Sequence, residues 1–381
     1  MKIVADENIP FVGEAFATLG EITLLPGRAI FKESLIGADV LLVRSITHVD
    51  SQLLAGTSVK FIATATIGTD HIDFDNLAEK GIGFSDAAGS NANSVAEYVM
   101  AALLHYSSQT GTPLEQKVLG VVGVGNIGSK VVRMAQAMGM RVLENDPPLA
   151  RQTGDARFIP LDHLMDADFI TLHVPLTRAG QDATFHLFDT ARIARMKPGS
   201  VLINSSRGAV VDNEALLRQL EKEHLNAAIL DVWENEPEVD LRLLERAHLG
   251  TPHIAGYSFD GKVNGTQMIY KAVCRYFNLP CRVDFSALMP PVPVPKIECS
   301  EVLTSDENCL HELVRSVYSI SDDTRRLAEI VKLPQIERGA YFDRLRKTYP
   351  MRREFFNSYV ELNQNASEKL KNKIMALGFR T

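Results

Sequence analysis

Three short blocks carry side chains of complementary chemistry: Asn204-Ser205-Ser206-Arg207-Gly208, Asp231-Val232-Trp233-Glu234-Asn235-Glu236-Pro237 and Thr251-Pro252-His253-Ile254-Ala255-Gly256. In chain order they supply a cation, a carboxylate and an imidazole. The guanidinium of Arg207 can grip a carboxylate with two parallel hydrogen bonds and polarise a neighbouring oxygen. Glu236 beside His253 would orient the ring and stabilise its protonated form, so the two make a proton-transfer pair. An acid with a neighbouring hydroxyl is the kind of molecule these groups would hold and deprotonate. Each residue alone has a plainer role, as a surface cation, a solvated loop acid or a core histidine, and the other nine histidines are assigned that plainer role.

Upstream lies Gly123-Val124-Gly125-Asn126-Ile127-Gly128, and its context carries more weight than its glycines. It follows the apolar run Leu119–Val122 and opens the helical spacing of Ile127–Met138, which Gly139 closes. Gly123 would permit a tight turn, Gly125 would let the backbone approach a pyrophosphate, and Gly128 would allow close helix–strand packing. The amides of Asn126 and Ile127 would face the phosphates at a helix N-terminus. Seventeen residues separate Gly128 from Asp146, which ends the next strand, where it would accept hydrogen bonds from a ribose and repel a 2′-phosphate. Pro147-Pro148 offers no cation there, so the expected cofactor is NAD rather than NADP.

These groups need strands to carry them. Strand-like runs at Lys2–Ala5, Glu21–Leu25, Asp39–Arg44, Val59–Ala63 and Gly81–Phe84 predict a first parallel α/β sheet. A long apolar helix is expected from Asn91 to about Ser107, with Ser94 and Glu97 at capping-box spacing. Further strands are read at Leu119–Val122, Arg141–Leu143, Phe169–His173, Ser200–Asn204 and Ala227–Leu230, with helices near 165 and 190 and from 213 to 223. Repeated βα units predict a second doubly wound, Rossmann-like parallel sheet, and the three blocks fall at or just after strand ends, where such sheets bind ligands. The run Pro290-Pro291-Val292-Pro293-Val294-Pro295 reads as a stiff linker to a separate small α+β module. That module has strands at Lys296–Cys299 and Ser358–Leu362 and helices near 306–317, 321–331 and 366–376.

Composition narrows the field. At 381 residues the chain predicts two or three domains, and its 45% hydrophobic and 23% charged content is that of a globular protein. A net charge of −7 argues against nucleic acid as a partner. No apolar run approaches the ~18 residues of a membrane span. The N-terminal segment reads directly into a strand rather than a signal peptide, so a cytoplasmic location is expected. Cys274, Cys281, Cys299 and Cys309 lack metal-ligand spacing, so reduced thiols and no metal site are expected. Between Arg325 and Arg353, nine Lys/Arg stand against three Asp/Glu. A solvated helix face or dimer interface would explain that excess. So would Arg344, Arg346, Arg352 or Arg353 drawn to an anionic group of a ligand, with Arg44 as the alternative in the first domain.

The fingerprint, the N-x-x-R-G block, the D-V-W-x-x-E-P block and T-P-H-I-A-G, in this order, resemble the D-isomer-specific 2-hydroxyacid dehydrogenases over roughly residues 1–285. The resemblance implies Arg207 as substrate-binding and electrophilic residue, Glu236 as partner of the imidazole and His253 as acid/base. It places Asp231 beside the nicotinamide, with Val174, Pro175, Ser205, Ser206, Arg207 and Gly256 lining the cofactor. It also implies a discontinuous substrate domain of residues 1–95 and 255–285, around an NAD-binding domain of residues 96–254. Val43-Arg44-Ser45-Ile46-Thr47, the run from Ala63 to Asp73 and Gly256-Tyr257-Ser258 resemble the substrate segments of those members that oxidise a phosphorylated hydroxy acid. By that likeness Ser45, Thr66 and Tyr257 contact substrate, and residues 286–381 form a dimerisation domain that makes a homodimer. A phosphoglycerate-type dehydrogenase would share the catalytic residues, but its regulatory tail would need four alternating strands where this segment reads mostly helical. An NAD(H)-sensing corepressor is the reading from another class, opposed by three intact catalytic positions.

Overall fold

The computed structural model describes residues 1–299, 305–363 and 366–381, with the thiol of Cys299 outside the described residues. The chain divides into two compact units, each discontinuous: Met1–Asn91 with Ser258–Pro291, and Ala92–Tyr257 with Val292–Thr381.

The first unit is built on five parallel strands, β1 (Lys2–Asp6), β2 (Glu21–Leu25), β3 (Val40–Val43), β4 (Phe61–Thr64) and β5 (Gly83–Ser85), in the order β2-β1-β3-β4-β5. Because side chains alternate across a strand, β1, β3 and β4 serve two cores at once. Ile3, Ala5, Val40, Leu42, Phe61 and Ala63 pack on the helix Phe259–Tyr276 through Val263, Ile269, Tyr270 and Val273. Val4, Leu41, Val43 and Ile62 face Leu35, Leu54 and Leu77 on the other side. Residues 258–291 thus complete the first unit.

The second unit carries β6 (Val118–Val122), β7 (Arg141–Asn145), β8 (Phe169–Leu172), β9 (Val201–Asn204), β10 (Ala227–Leu230) and β11 (Leu249–Gly250). All are parallel, in the order β11-β10-β9-β8-β6-β7. A single parallel bridge, Glu144 to Phe158, extends the edge beyond β7. Counting that bridge as a strand gives the order 3-2-1-4-5-6, followed by β11, which is the dinucleotide-binding arrangement. The chain reverses direction beside β6, which opens a crevice at the carboxyl ends of β6 and β8.

Residues 292–381, expected as a separate module, share both cores of this second unit. The tail adds a two-stranded parallel ribbon, β12 (Lys296–Cys299) with β13 (Tyr359–Leu362). Leu310, Leu313, Ile374 and Leu377 join Leu119, Val121, Ile203 and Ile229 on one face of the sheet. Leu327, Ile330 and Phe342 join Ile170, Leu172, Leu202 and Leu230 on the other. The capping box also needs correction. Helix Ala92–Thr110 begins before Ser94, whose hydroxyl donates to Glu354 at 2.7 Å, while Glu97 accepts from the amide of Phe355 at 2.8 Å. Both polar side chains are spent on docking the tail.

Candidate active site

The glycine turn has the shape its spacing predicts. Gly123 has φ +84°, and a Cβ there would stand 2.6 Å from the carbonyl oxygen of His173. A Cβ on Gly128 would lie 1.9 Å from the carbonyl oxygen of Gly123, whereas one on Gly125 would meet open space. The turn therefore packs inward at its ends and leaves its middle clear, with Gly125 and Asn126 exposed above helix Gly128–Ala137. Asp146 is fixed beside it: one carboxylate oxygen accepts from the amide of Val124 at 2.8 Å and the other from Leu149 at 3.0 Å. Each oxygen keeps a lone pair for a ribose hydroxyl. Val174 follows β8 and abuts Gly123, with Pro175 next in the chain. Ser205, beyond β9, has a buried hydroxyl with no partner among the described residues. An open glycine, a held carboxylate and an orphaned hydroxyl along one sheet edge fit a dinucleotide.

Arg207, Asp231 and His253 follow the adjacent strands β9, β10 and β11. Asn204 turns the chain after β9 by accepting from the amide and hydroxyl of Ser206 and donating its amide to the carbonyl of Arg207 at 3.0 Å. Arg207 donates to the carbonyl of Ser206 at 2.8 Å. Gly208 is obligatory, because a Cβ would sit 1.9 Å from the carbonyl oxygen of Trp233. The loops after β9 and β10 touch backbone to backbone at that point.

His253 Nδ1 lies 2.7 Å from Glu236 Oε2, while Glu236 Oε1 accepts from the amide of Trp233 at 2.8 Å. Burial pushes the Glu236 carboxyl up, but the His253 bond and charge, the Trp233 amide and the charge of Arg346 together hold it below the usual carboxylate range. The carboxylate fixes the imidazole at Nδ1 and leaves Nε2 for another partner. His253 itself sits at φ +57°, a left-handed conformation that a histidine adopts more readily than a β-branched residue.

Asp231 supports that conformation. Its side chain accepts from the Thr251 hydroxyl at 2.6 Å, the Ile254 amide at 2.7 Å and the Ala255 amide at 2.9 Å. Its carbonyl accepts from the amide of His253 at 2.7 Å. Burial raises its carboxyl pKa, against the opposing pull of His253 and these hydrogen bonds. Thr251 is held in turn by Tyr98, at 2.8 Å between hydroxyls, and by the Trp233 indole, which donates to its carbonyl at 3.0 Å. The sequence assigns no role to Trp233 and Thr251, which lie inside the blocks, or to Tyr98, which lies far from them on the helix Ala92–Thr110, and only the folded arrangement brings the three together. Gly256 and Tyr257 continue the same turn, the amide of Tyr257 donating to Ile254 at 2.8 Å.

In the first unit, Ser45 and Thr66 stand just past the carboxyl ends of the paired strands β3 and β4. Ser45 is exposed. The Thr66 hydroxyl lies 2.7 Å from that of Thr64 and 3.0 Å from the carbonyl of Gly68. Arg44 is tied to Asp6, its Nε 2.9 Å from the carboxylate. The described residues contain no cluster of His, Cys, Asp or Glu that could hold a metal ion.

A family model described as the NAD binding domain of D-isomer specific 2-hydroxyacid dehydrogenases matches residues 89–255. A second, described as a domain of unknown function, matches residues 288–378. Proteins named erythronate-4-phosphate dehydrogenase from Cellvibrio japonicus and Cronobacter sakazakii are 45% and 43% identical, over 100% and 98% of this chain and 100% and 97% of theirs. Among solved structures, a D-lactate dehydrogenase from Aquifex aeolicus complexed with NAD and lactic acid is 28% identical, with a TM-score of 0.58, and covers 73% of this chain and 96% of its own. An NAD-dependent formate dehydrogenase from Staphylococcus aureus in complex with NAD is 26% identical, with a TM-score of 0.59 over 73% of this chain and 96% of its own.

Proposed function

The chain belongs to the D-isomer specific 2-hydroxyacid dehydrogenase family, and on that premise we propose that it oxidises the C2 hydroxyl of 4-phospho-D-erythronate to 2-oxo-3-hydroxy-4-phosphobutanoate, a step of vitamin B6 biosynthesis. The observation that carries this substrate, rather than lactate or formate, is the extent of the likeness: it runs the whole length of the chain, tail included, whereas the lactate and formate dehydrogenases cover 73% of it.

NAD, when bound, supplies the acceptor for the hydride that leaves C2. Gly123, Gly125, Asn126, Ile127 and Gly128 would cradle its pyrophosphate, and Asp146 would take the adenosine ribose. Val174, Pro175, Ser205, Ser206 and Gly256 would line the remainder. Arg207 grips the C1 carboxylate and polarises the C2 oxygen, while His253 Nε2 takes the hydroxyl proton as the C2–H bond breaks. Glu236 stabilises the imidazolium so formed. Asp231 holds the turn that carries His253 and would lie beside the nicotinamide. Ser45, Thr66 and Tyr257 offer hydroxyls to the substrate. Atoms balance: one hydride goes to the cofactor and one proton to His253, leaving the ketone.

A homodimer formed through the tail is supported by the apolar side chains left exposed there, Ile336 at 91% and Met351 at 50% among them. A cytoplasmic setting fits the free thiols of Cys274 and Cys281. No described helix is long and apolar enough to cross a membrane.

The test is NADH formation measured with 4-phospho-D-erythronate, 3-phosphoglycerate and D-lactate side by side. The highest kcat/KM is expected for the first. An equal or higher value for either of the others would refute the substrate assignment.

A further inference from the structure

A substrate that is anionic at both ends needs a cation at each, and Arg207 accounts for one. The basic tail offers the other candidates, most of which the structure commits elsewhere. Arg352 is enclosed, its Nη2 donating to the carbonyls of Ser94 at 2.6 Å and Ala255 at 3.1 Å, with its guanidinium 4.2 Å from the Tyr318 ring centre. Arg353 donates to Asn357 at 2.9 Å. Arg326 pairs with Asp323 and Lys332 with Glu329. Arg344 is exposed over Tyr341.

Arg346 differs in its place, half-buried beside Tyr257 and Glu236 rather than enclosed. The nearest carboxylate paired with it, Asp343, is 3.9 Å away, and its Nε, like Nε and Nη1 of Arg352, is buried without a hydrogen-bond partner among the described residues. Its guanidinium carbon lies 5.8 Å from the centre of the Tyr257 ring, which Tyr349 holds edge-on at 5.8 Å. Its charge also reaches Glu236 closely enough to help depress that carboxyl. The helix that brings it there, Gln335–Lys347, is seated on the loop carrying Glu236: a Cβ on Gly339 would lie 3.2 Å from Pro237 and closer still to Glu238. Arg346 follows Gly339 by seven residues, two helical turns along the same face. The seat on the catalytic loop therefore also fixes the position of the guanidinium.

We propose that Arg346, supplied by the C-terminal segment of the same chain, binds the phosphate group of the substrate, with the Tyr257 hydroxyl beside it. The inference rests on the phosphorylated-acid reading above. Arg207 takes the carboxylate at C1 and Arg346 the phosphate at C4, so the two forks set the direction in which the acid lies across His253. A planar guanidinium gives a phosphate two parallel charge-assisted hydrogen bonds, and partial burial strengthens them relative to a surface lysine.

The experiment compares wild type, Arg346→Gln and Arg346→Lys on 4-phospho-D-erythronate and on unphosphorylated D-erythronate, with inorganic phosphate titrated calorimetrically into each protein bound to NADH. Loss of charge-assisted hydrogen bonds predicts that Arg346→Gln raises KM for the phosphorylated acid roughly 10- to 100-fold with a much smaller change in kcat. The loss on erythronate should be at least about tenfold smaller. Arg346→Lys should recover part of the affinity, and phosphate binding should weaken in the Gln variant. Equal losses on both acids would overturn the proposal, since they would mean that Arg346 only positions Glu236 and Tyr257. Undiminished phosphate binding in Arg346→Gln would overturn it too. Failure of the wild type to prefer the phosphorylated acid would instead refute the substrate reading, and the phosphate titration, which needs no turnover, would still decide the anion site.

Discussion

At the scale of single residues, the proposed chemistry turns on one imidazole whose two nitrogens would have different tasks. With Nδ1 committed to Glu236 at 2.7 Å, only Nε2 is available to a substrate hydroxyl. His253→Ala should therefore lower kcat by about 10²–10⁴ while NADH still binds, because the cofactor cradle lies on other strands. Glu236 stays ionised across the neutral range despite its burial. Glu236→Gln removes the charge that stabilises the imidazolium formed as the hydroxyl proton is taken, so kcat should fall while NADH binding is intact. An unchanged kcat would contradict the pairing. These residues were legible in the sequence because their types are scarce and their order is specific. Asp231 was legible as a site residue but not as a support, since its four accepted hydrogen bonds exist only once β10 and β11 lie side by side.

At the scale of elements, strands were read from the sequence better than helices. Buried parallel strands are short apolar runs, and β10 falls on the residues expected, as does the exposed edge strand β2. Strand β11 escaped because Leu249–Gly250 is too short to show a pattern. Helix Gln335–Lys347 escaped because it buries little more than Gly339 and Phe342, leaving no apolar stripe, and Ile336 near its start faces outward. Proline suggested a linker before the tail, yet polar groups far apart in sequence join the tail to the nucleotide unit. Glu97, Ser94, Glu354 and Arg352 are all buried there, and Arg352 also reaches the carbonyl of Ala255, two residues past His253. Arg352→Ala leaves those acceptors enclosed without their donor. It should cost about 3–5 kcal/mol in denaturant unfolding. Because the same donor braces the catalytic turn, kcat should fall as well, and a variant with wild-type stability and rate would show that the buried cation contributes to neither.

At the scale of the whole molecule, packing the tail onto the nucleotide unit encloses a group of histidines that no motif had marked. His105 on the long helix lies 6.2 Å from His248, which precedes β11, and 5.6 Å from His311 on the tail helix Asp306–Val317, between ring centres. Burial, then the neighbouring His311 and His248, lower the pKa of His105 to about 4. Burial lowers His248, and it lowers His311 as well, where Glu312 opposes the shift and Arg315 adds to it. Each folded-state pKa lies below that of the unfolded chain, so as pH falls the unfolded state takes up protons that the folded state refuses. The stability held by neutral rings is fully present above an unfolded pKa of about 6.5 and is lost as pH falls toward the folded value. Carboxylates held low, such as Glu236, make their own loss further down, below the ordinary carboxylate pKa of 4.5. Between about pH 6.5 and pH 5 the histidines should dominate. Melting temperature should therefore decline across that interval, and His105→Phe, which keeps the ring shape without the titrating nitrogen, should flatten the decline. A wild type whose melting temperature is constant there, or a variant with an undiminished slope, would remove the cluster as the cause.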